Sequence, residues 1–153
     1  MAYVLALLMG IVAGMRAMTA PAVVSWAAYV GAVNLSGVWL AFLGHRWAPW
    51  VLTLLALAEL VTDQLPSTPS RTVPIQFGTR LVSGALCGAA IGVVSGSWIW
   101  GALAGIVGAI IGTLGGRQLR LRMAIAIGRD RPAALIEDAI AIGGALLIAL
   151  ALP

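Results

Sequence analysis

Residues 80–114 read RLVSGALCGAAIGVVSGSWIWGALAGIVGAIIGTL, two apolar runs separated by the turn Ser95-Gly96-Ser97. Glycines recur every fourth residue in both runs, and this spacing gives a helix a smooth face for close backbone packing. They are Gly84, Gly88, Gly92 and Gly96, then Gly101 and Gly105, then Gly108, Gly112 and Gly116. The pattern predicts tightly packed helices. It leaves open whether the partner helix belongs to the same chain or to another copy.

The rest of the 153-residue chain has the same apolar character. Hydrophobic residues make up 61% of it and charged residues 9%, far fewer charges than a soluble domain of this size exposes. Polar intervals are short, so we predict one integral membrane domain over residues 1–153. The expected fold is all-α: a polytopic membrane helical bundle of about six transmembrane or re-entrant helices.

The first apolar stretch runs from Ala2 to Val33 and is interrupted by Gly14-Met15-Arg16. As one helix it would be about 48 Å long, too long for a bilayer core of ~30 Å. Two arrangements remain open. A short hairpin crosses a thinned bilayer with Arg16 at its inner turn, or the hairpin is re-entrant with Arg16 near mid-membrane. Thr19, followed by Pro21, suits the start of the second helix.

The next two segments are an interface and a span. Residues 34–49 are rich in tryptophan, which is typical of a membrane–water interface. His45, within it, is expected to be an exposed interfacial residue rather than a proton or metal site. A span then runs from Pro49 to Leu65 and is stopped by the prolines of residues 66–74.

The segment Arg117 to Arg131 is expected to lie at the interface and to contact anionic lipid headgroups. Its arginines are Arg117, Arg120, Arg122, Arg129 and Arg131. With this segment in the cytoplasm, eight of the nine arginines lie inside and only Arg46 outside, as the positive-inside rule favours. We therefore predict a multi-pass protein of the bacterial inner membrane, with both termini outside and a last span that begins at Pro132.

Four of the five acidic residues lie inside apolar runs, where an ionisable group costs about 2.5–3.5 kcal/mol. They are Glu59, Asp63, Glu137 and Asp138. The topology gathers them at the inner leaflet, and we expect Arg16, Arg80 and Arg117 to lie within reach. Glu137 and Asp138 are adjacent on a helix and point about 100° apart, so at least one of them is expected to pair with an arginine.

These residues suggest a small membrane transporter or channel component. The four carboxylates would bind an ion or couple protons, and Arg16 and Arg80 would neutralise them or contact an anionic solute. The alternative is a non-transporting scaffold or anionic-lipid-binding protein, in which the same charges form structural ion pairs. A chain this small has little room for a transport pathway inside a single copy, so we also expect a homo-oligomer.

Other classes of function have little support in the sequence. No Cys, His, Asp or Glu set has the spacing of a metal site, and no nucleophile–base arrangement indicates an enzyme. We therefore expect no metal, no cofactor and no nucleic acid, with the lipid bilayer as the main partner. Three Gly-x-Arg turns, which end at Arg16, Arg80 and Arg117, hint at an internal repeat.

Four blocks of the chain resemble a family of small bacterial inner-membrane proteins still classed as a domain of unknown function. They are Gly14-Met-Arg16-Ala-Met-Thr-Ala-Pro21-Ala-Val-Val-Ser-Trp26, Leu57-Ala-Glu59-Leu-Val-Thr-Asp63-Gln-Leu-Pro66 with Thr68-Pro69-Ser70-Arg71, Arg80-Leu-Val-Ser-Gly84, and Ala134-Leu-Ile-Glu137-Asp138-Ala-Ile-Ala. The family pattern usually has lysine after Asp63, where this chain has Gln64. The resemblance implies a polytopic membrane fold and no established substrate.

Overall fold

The computed structural model describes residues 1–64 and 73–152. Within them the chain is all-helical, with six α-helices, one 3-10 helix and no strand. The helices are α1 Ala2–Met15, α2 Thr19–Tyr29, the 3-10 helix Trp39–Gly44, α3 Ala48–Thr62, α4 Pro74–Val93, α5 Trp98–Ile127 and α6 Asp130–Leu150. Among these, α5 and α6 are long and apolar enough to cross a membrane, and α1 and α3 are shorter apolar helices.

Several helix boundaries follow directly from proline and glycine. Pro49 and Pro74 lie in the first turns of α3 and α4, where the fixed φ of proline suits a helix start. The turn between α4 and α5 contains Gly96 at φ 81°, a left-handed conformation that favours glycine. The predicted break at residues 95–97 and the predicted start of α2 at Thr19 are both confirmed.

Two boundaries predicted from the apolar runs are wrong: the end of α5 and the start of the last helix. The second apolar run ends at Leu114, which predicts a helix end there, but α5 continues through the arginine segment to Ile127, a length of 30 residues or about 45 Å. Residues 117–127 are mostly good helix formers, and the helix stops only at Gly128, which has φ 75°. The last helix begins at Asp130 rather than Pro132, because proline is tolerated within a first turn.

The contact between α4 and α5 depends on glycine. The two helices are antiparallel, and their backbones touch where the glycine faces meet. A Cβ added at Gly84 would lie 2.6 Å from the carbonyl oxygen of Gly105, and one at Gly92 would lie 2.7 Å from the Cα of Gly101. A real Cβ has no room at such distances, so only glycine allows this approach.

A second glycine face of α5 receives α1, which runs parallel to it. Added Cβ atoms on Gly108 and Gly112 would collide with the α1 backbone at Leu7 and Ile11. Both glycine faces of α5 are therefore filled by helices of the same chain. This answers the question that the sequence left open for these residues, and it removes glycine spacing as an argument for contacts between copies.

The interior of the bundle and its outer surface differ in the side chains they carry. The largest fully buried side chains are those of Arg16 and Arg80, and much of the remaining core is alanine. Large apolar side chains lie on the outer surface instead: Leu54, Ile125 and Leu147 are 66%, 81% and 69% exposed. The interior thus combines small residues, two buried arginines and some larger apolar residues such as Leu40 and Ile91, and the exterior is strongly apolar.

The two ends of the bundle differ in chemistry. One end, which we call the aromatic end, carries ring contacts between Trp39 and Trp98 and between Trp26 and Trp50, with centroids 6.0 and 5.1 Å apart. Arg46 lies there too, over the ring of Trp47. The charged side chains of the other helices lie toward the opposite end, which we call the charged end.

Candidate functional site

The centre of the charged end is a non-helical segment, residues 16–18, which we call the apex. Helix α1 runs to it from the aromatic end, beside α5, and the Thr113 hydroxyl lies 3.2 Å from the carbonyl oxygen of Gly14. Helix α2 then returns antiparallel to α3, with Trp26 Nε1 donating to Thr53 Oγ1 at 3.0 Å. The apex is therefore surrounded by other helices.

Arg16 connects the apex to two helices at once. Its Nη1 donates to Asp63 at the end of α3, and its Nη2 donates to Asp138 in α6. The Arg16 side chain has no exposed surface, and the two aspartate side chains are each 11% exposed. Charge-assisted pairs of this kind are the strong hydrogen bonds of proteins, so the guanidinium is held from both sides.

Glu59 binds the backbone of the apex. Its two carboxylate oxygens accept hydrogen bonds from the backbone N–H groups of Ala17 and Met18, each at 2.8 Å. These N–H groups precede α2, at the end of a helix that carries partial positive charge. Arg80 Nη2 lies 3.9 Å from a Glu59 oxygen. The carboxylate thus supplies the acceptor that the start of α2 needs.

Arg80 has the matching role at the end of α1. Its Nη1 donates to the backbone carbonyl oxygens of Gly14 and Met15 at 2.8 and 2.7 Å. The carbonyls that end a helix lack partners within it and carry partial negative charge. A buried guanidinium from α4 satisfies them, so the break between α1 and α2 leaves neither helix end without a partner of opposite sign.

A second charged group lies beside the apex, between α5 and α6. Arg120 donates to both carboxylate oxygens of Asp130, with Nε at 3.0 Å and Nη2 at 2.6 Å. Its Nη1 also lies 3.9 Å from Glu137, whose side chain is fully buried. Glu137 and its neighbour Asp138 therefore face different arginines, as their directions on a helix require.

The predicted arginines divide into two sets. Arg16, Arg80 and Arg120 lie among the carboxylates. Arg117, which we expected there, is exposed instead, and so are the other predicted headgroup contacts Arg122, Arg129 and Arg131. Arg120 was predicted as a headgroup contact, and the structure gives it carboxylate partners.

The family model for a domain of unknown function (DUF4126) matches residues 3–153. The chain belongs to this family. No curated protein and no solved structure matches it. The family assignment agrees with the resemblance seen in the sequence.

The blocks that resembled the family supply most of the apex of this DUF4126 chain. The first block contributes Arg16 and the backbone of Ala17 and Met18, and the second contributes Glu59 and Asp63. Residues 65–72, which include Arg71, lie outside the described residues. Within residues 1–64 and 73–152, no three His, Cys, Asp or Glu side chains come together as a metal site requires.

Sequence reasoning missed three participants in this site: Thr113, Asp130 and the backbone of the apex. The Thr113 hydroxyl is bonded to Ala109 O at 2.7 Å as well as to Gly14, which only the packing of α1 on α5 reveals. For Asp130 a signal existed. Gly128 indicates a helix end, and a turn there brings α6 back along α5, so that Arg120 meets Asp130 and Glu137.

Proposed function

We propose that this DUF4126 protein is a multi-pass protein of the bacterial inner membrane that works as a small transporter or channel component. Its apex would bind or couple an ion, a proton or a small charged solute. The observation that carries the proposal is the meeting of two opposed helix ends with Glu59, Asp63 and Asp138 at one enclosed segment.

The outer surface supports a membrane location for the whole bundle. Contiguous exposed apolar side chains need lipid or a partner protein to cover them, and they occur on helices α3, α5 and α6 alike. Buried arginines and small residues inside, with large apolar residues outside, fit a protein that has lipid as its solvent. Aromatic residues at one end and arginines at the other fit an outer interface and a cytoplasmic side, respectively.

The lengths of α1 and α2 support a re-entrant hairpin. With 14 and 11 residues they measure about 21 and 16 Å, shorter than a hydrocarbon core of ~30 Å. Non-helical backbone at membrane depth is tolerated where it is enclosed by protein or lines a cavity, and the apex is enclosed. Transporters of several folds use interrupted helices of this kind to form ion and solute sites near the bilayer midplane.

Flux measurements on reconstituted protein test the proposal. Liposomes carrying a pH-sensitive dye, and then salt gradients, would compare the natural chain with Glu59→Gln and with the control Asp130→Asn, whose carboxylate is 62% exposed. We expect flux above that of empty liposomes, a large loss in Glu59→Gln, and little change in the control. Flux equal to that of empty liposomes, or unchanged by Glu59→Gln in correctly folded protein, would contradict it.

The second candidate is a non-transporting scaffold that binds anionic lipid. The full enclosure of Arg16 between two aspartates favours it, because a closed ion pair needs no other role than to fix the positions of the helices. This candidate predicts no flux, together with binding to phosphatidylglycerol vesicles that weakens when exposed arginines such as Arg122 and Arg129 become glutamine.

Assembly into a homo-oligomer is part of the first proposal. A single small bundle has little internal volume, and a pathway between copies would supply it. Since the α5 glycine faces are used within the chain, contacts between copies would use the exposed apolar faces of other helices. Cross-linking in native membranes, followed by mass determination of the purified protein in detergent, tests this.

A further inference from the structure

An open groove lies on the surface of α5 toward the charged end of the bundle. Its volume is about 490 Å³, and the described residues that line it all belong to α5: Leu114, Gly115, Gln118, Leu119 and Arg122. Gly115 and Arg122 are nearly two helical turns apart, so they lie on one face, with Arg122 about 10 Å closer to the end of the helix. Leu114 and Leu119 flank that face. The groove therefore has an apolar half around Gly115 and a polar half around Arg122.

The apolar half exists because Gly115 has no side chain. The glycines of α5 that pack on other helices, such as Gly105 and Gly112, would place an added Cβ against backbone atoms, whereas a Cβ added at Gly115 meets nothing within 4 Å. Leu114, beside it, is 50% exposed. Gly115 therefore leaves a recess in an apolar surface, and no described part of the chain fills this recess.

Arg122 and Gln118 supply the polar half. They are four residues apart, so their side chains are neighbours on the helix surface, and helical side chains point back toward the N-terminus, here toward the recess. Both residues are exposed, and neither side chain forms a hydrogen bond or ion pair with the described residues. Together they offer the positive charge and the N–H donors that a phosphate group requires.

The position of the groove along α5 matches one face of a bilayer. Trp98 begins α5 at the aromatic end, and Arg122 lies about 36 Å further along the helix axis. A hydrocarbon core is ~30 Å thick and a whole bilayer ~40–45 Å. When Trp98 lies at one interface, Arg122 therefore lies among the headgroups of the other, and Gly115 lies at the level of the acyl chains.

We propose that this groove binds one phospholipid of the inner leaflet. The phosphodiester would lie at Arg122 and Gln118, and the glycerol backbone with the first part of an acyl chain would fill the recess over Gly115. The proposal rests on the membrane location in the proposed function and not on transport. It replaces a general headgroup contact of the arginine segment by one defined site. A soluble phosphate would use only the polar half of the groove, so the apolar recess favours a lipid as the occupant.

Titration of the delipidated protein in a nonionic detergent tests the phosphate contact. Phosphatidylglycerol should raise the Tm of the natural chain in a saturable manner. In Arg122→Gln the lipid concentration at half of that shift should rise about tenfold or more, because a charge-assisted hydrogen bond is lost. The matched control is Arg117→Gln, which removes the same charge from a face of α5 about 140° away; diffuse attraction accounts for a change of about fivefold at most. No shift in the natural chain, or a loss in Arg122→Gln no greater than in the control, would overturn the proposal.

Gly115→Leu tests the recess. The structure has room for the new side chain, which would take the place of the lipid. Binding should weaken about tenfold, as expected when about two methylene groups lose their contacts, while the circular dichroism spectrum stays unchanged. The matched control is Gly143→Leu in α6, where an added Cβ also meets nothing within 4 Å. Unchanged binding in Gly115→Leu, or an equal loss in the control, would overturn the proposal.

Two further ligands identify what the groove recognises. Diacylglycerol with the same chains lacks the phosphate, and glycerol 1-phosphate lacks the chains, so each should bind the natural chain more weakly than phosphatidylglycerol. Equal binding of diacylglycerol would exclude phosphate recognition, and equal binding of glycerol 1-phosphate would make a soluble phosphate the occupant; either result would overturn the proposal. Flux separates the two levels of inference. Lipid binding that depends on Arg122 in a protein without flux would refute transport alone, and flux without such lipid binding would refute the lipid site alone.

Discussion

The α4–α5 contact predicts the outcome of adding one methyl group, in the substitution Gly105→Ala. The new Cβ would collide with the carbonyl oxygen of Gly84 and lie 2.8 Å from its carbonyl carbon and 3.1 Å from the Cα of Gly88. These are backbone atoms, which no rotamer change can move. The matched control is Gly115→Ala on the same helix, where an added Cβ meets nothing within 4 Å.

The comparison isolates the steric effect. Both substitutions lie inside α5, so the helix-propensity gain of about 1 kcal/mol for alanine over glycine applies to both and cancels. At Gly105 the clash with the Gly84 carbonyl oxygen is the most severe, and relieving it requires the helices to separate by more than the ~1 Å gap that already forfeits about half of the dispersion attraction across an interface. Overpacking typically costs about 1–3 kcal/mol, and the backbone contact favours the upper part of that range. We expect Gly105→Ala to be less stable than Gly115→Ala by about 2–3 kcal/mol.

Reversible unfolding in mild detergent, followed by circular dichroism, measures this difference. The difference should be the same at high and low protein concentration, because the contact lies within one chain. Equal stability of the two variants, to within about 0.5 kcal/mol, would refute the packing described for α4 and α5. A difference that disappears on dilution would assign the glycine face to contacts between copies.

Three further substitutions have expected outcomes. Arg16→Met removes the shared partner of Asp63 and Asp138 and should lower the free energy of unfolding by about 3–5 kcal/mol; in a double-mutant cycle with Asp138→Asn, the two losses should not add. Asp130→Asn breaks an exposed pair with Arg120 and should cost less than about 1 kcal/mol by the same assay. Gly128→Ala places a side chain at φ 75° and should lower the unfolding midpoint, with a cost of about 1–2 kcal/mol; a neutral effect would show that α5 does not end there.

The helices could be predicted from the sequence wherever proline or glycine fixes the backbone. Gly96 in its turn and Thr19 before Pro21 gave correct boundaries because these residues act locally. The end of α5 was missed although a glycine marks it, because the change from apolar to basic composition after Leu114 indicates an earlier boundary. That change does not interrupt a helix, and the helix ends only at Gly128, which has a positive φ.

The sequence indicated which acidic residues belong to the candidate site, but it did not indicate all of their partners. Acidic residues in apolar runs can be recognised because a charge there costs free energy, and the structure brings Glu59, Asp63 and Asp138 together at the apex. The choice between Arg117 and Arg120 depends on how α6 lies along α5. Because the turn is at Gly128, the residue opposite Glu137 is Arg120. No sequence signal states that Glu59 would bind backbone N–H groups instead of an arginine alone.

The apex charges are matched to the helix ends that the break exposes. Arg80 meets the negative end of α1, Glu59 meets the positive end of α2, and Arg16, from the break itself, holds α3 and α6. Moving α3 away from the apex must therefore break the bonds of Glu59 and Asp63 together. In apolar surroundings, leaving those N–H groups without an acceptor costs free energy. The contacts that fix the helix positions would therefore also oppose any movement of α3, and the flux of the Glu59→Gln variant distinguishes a purely structural role from a role in transport.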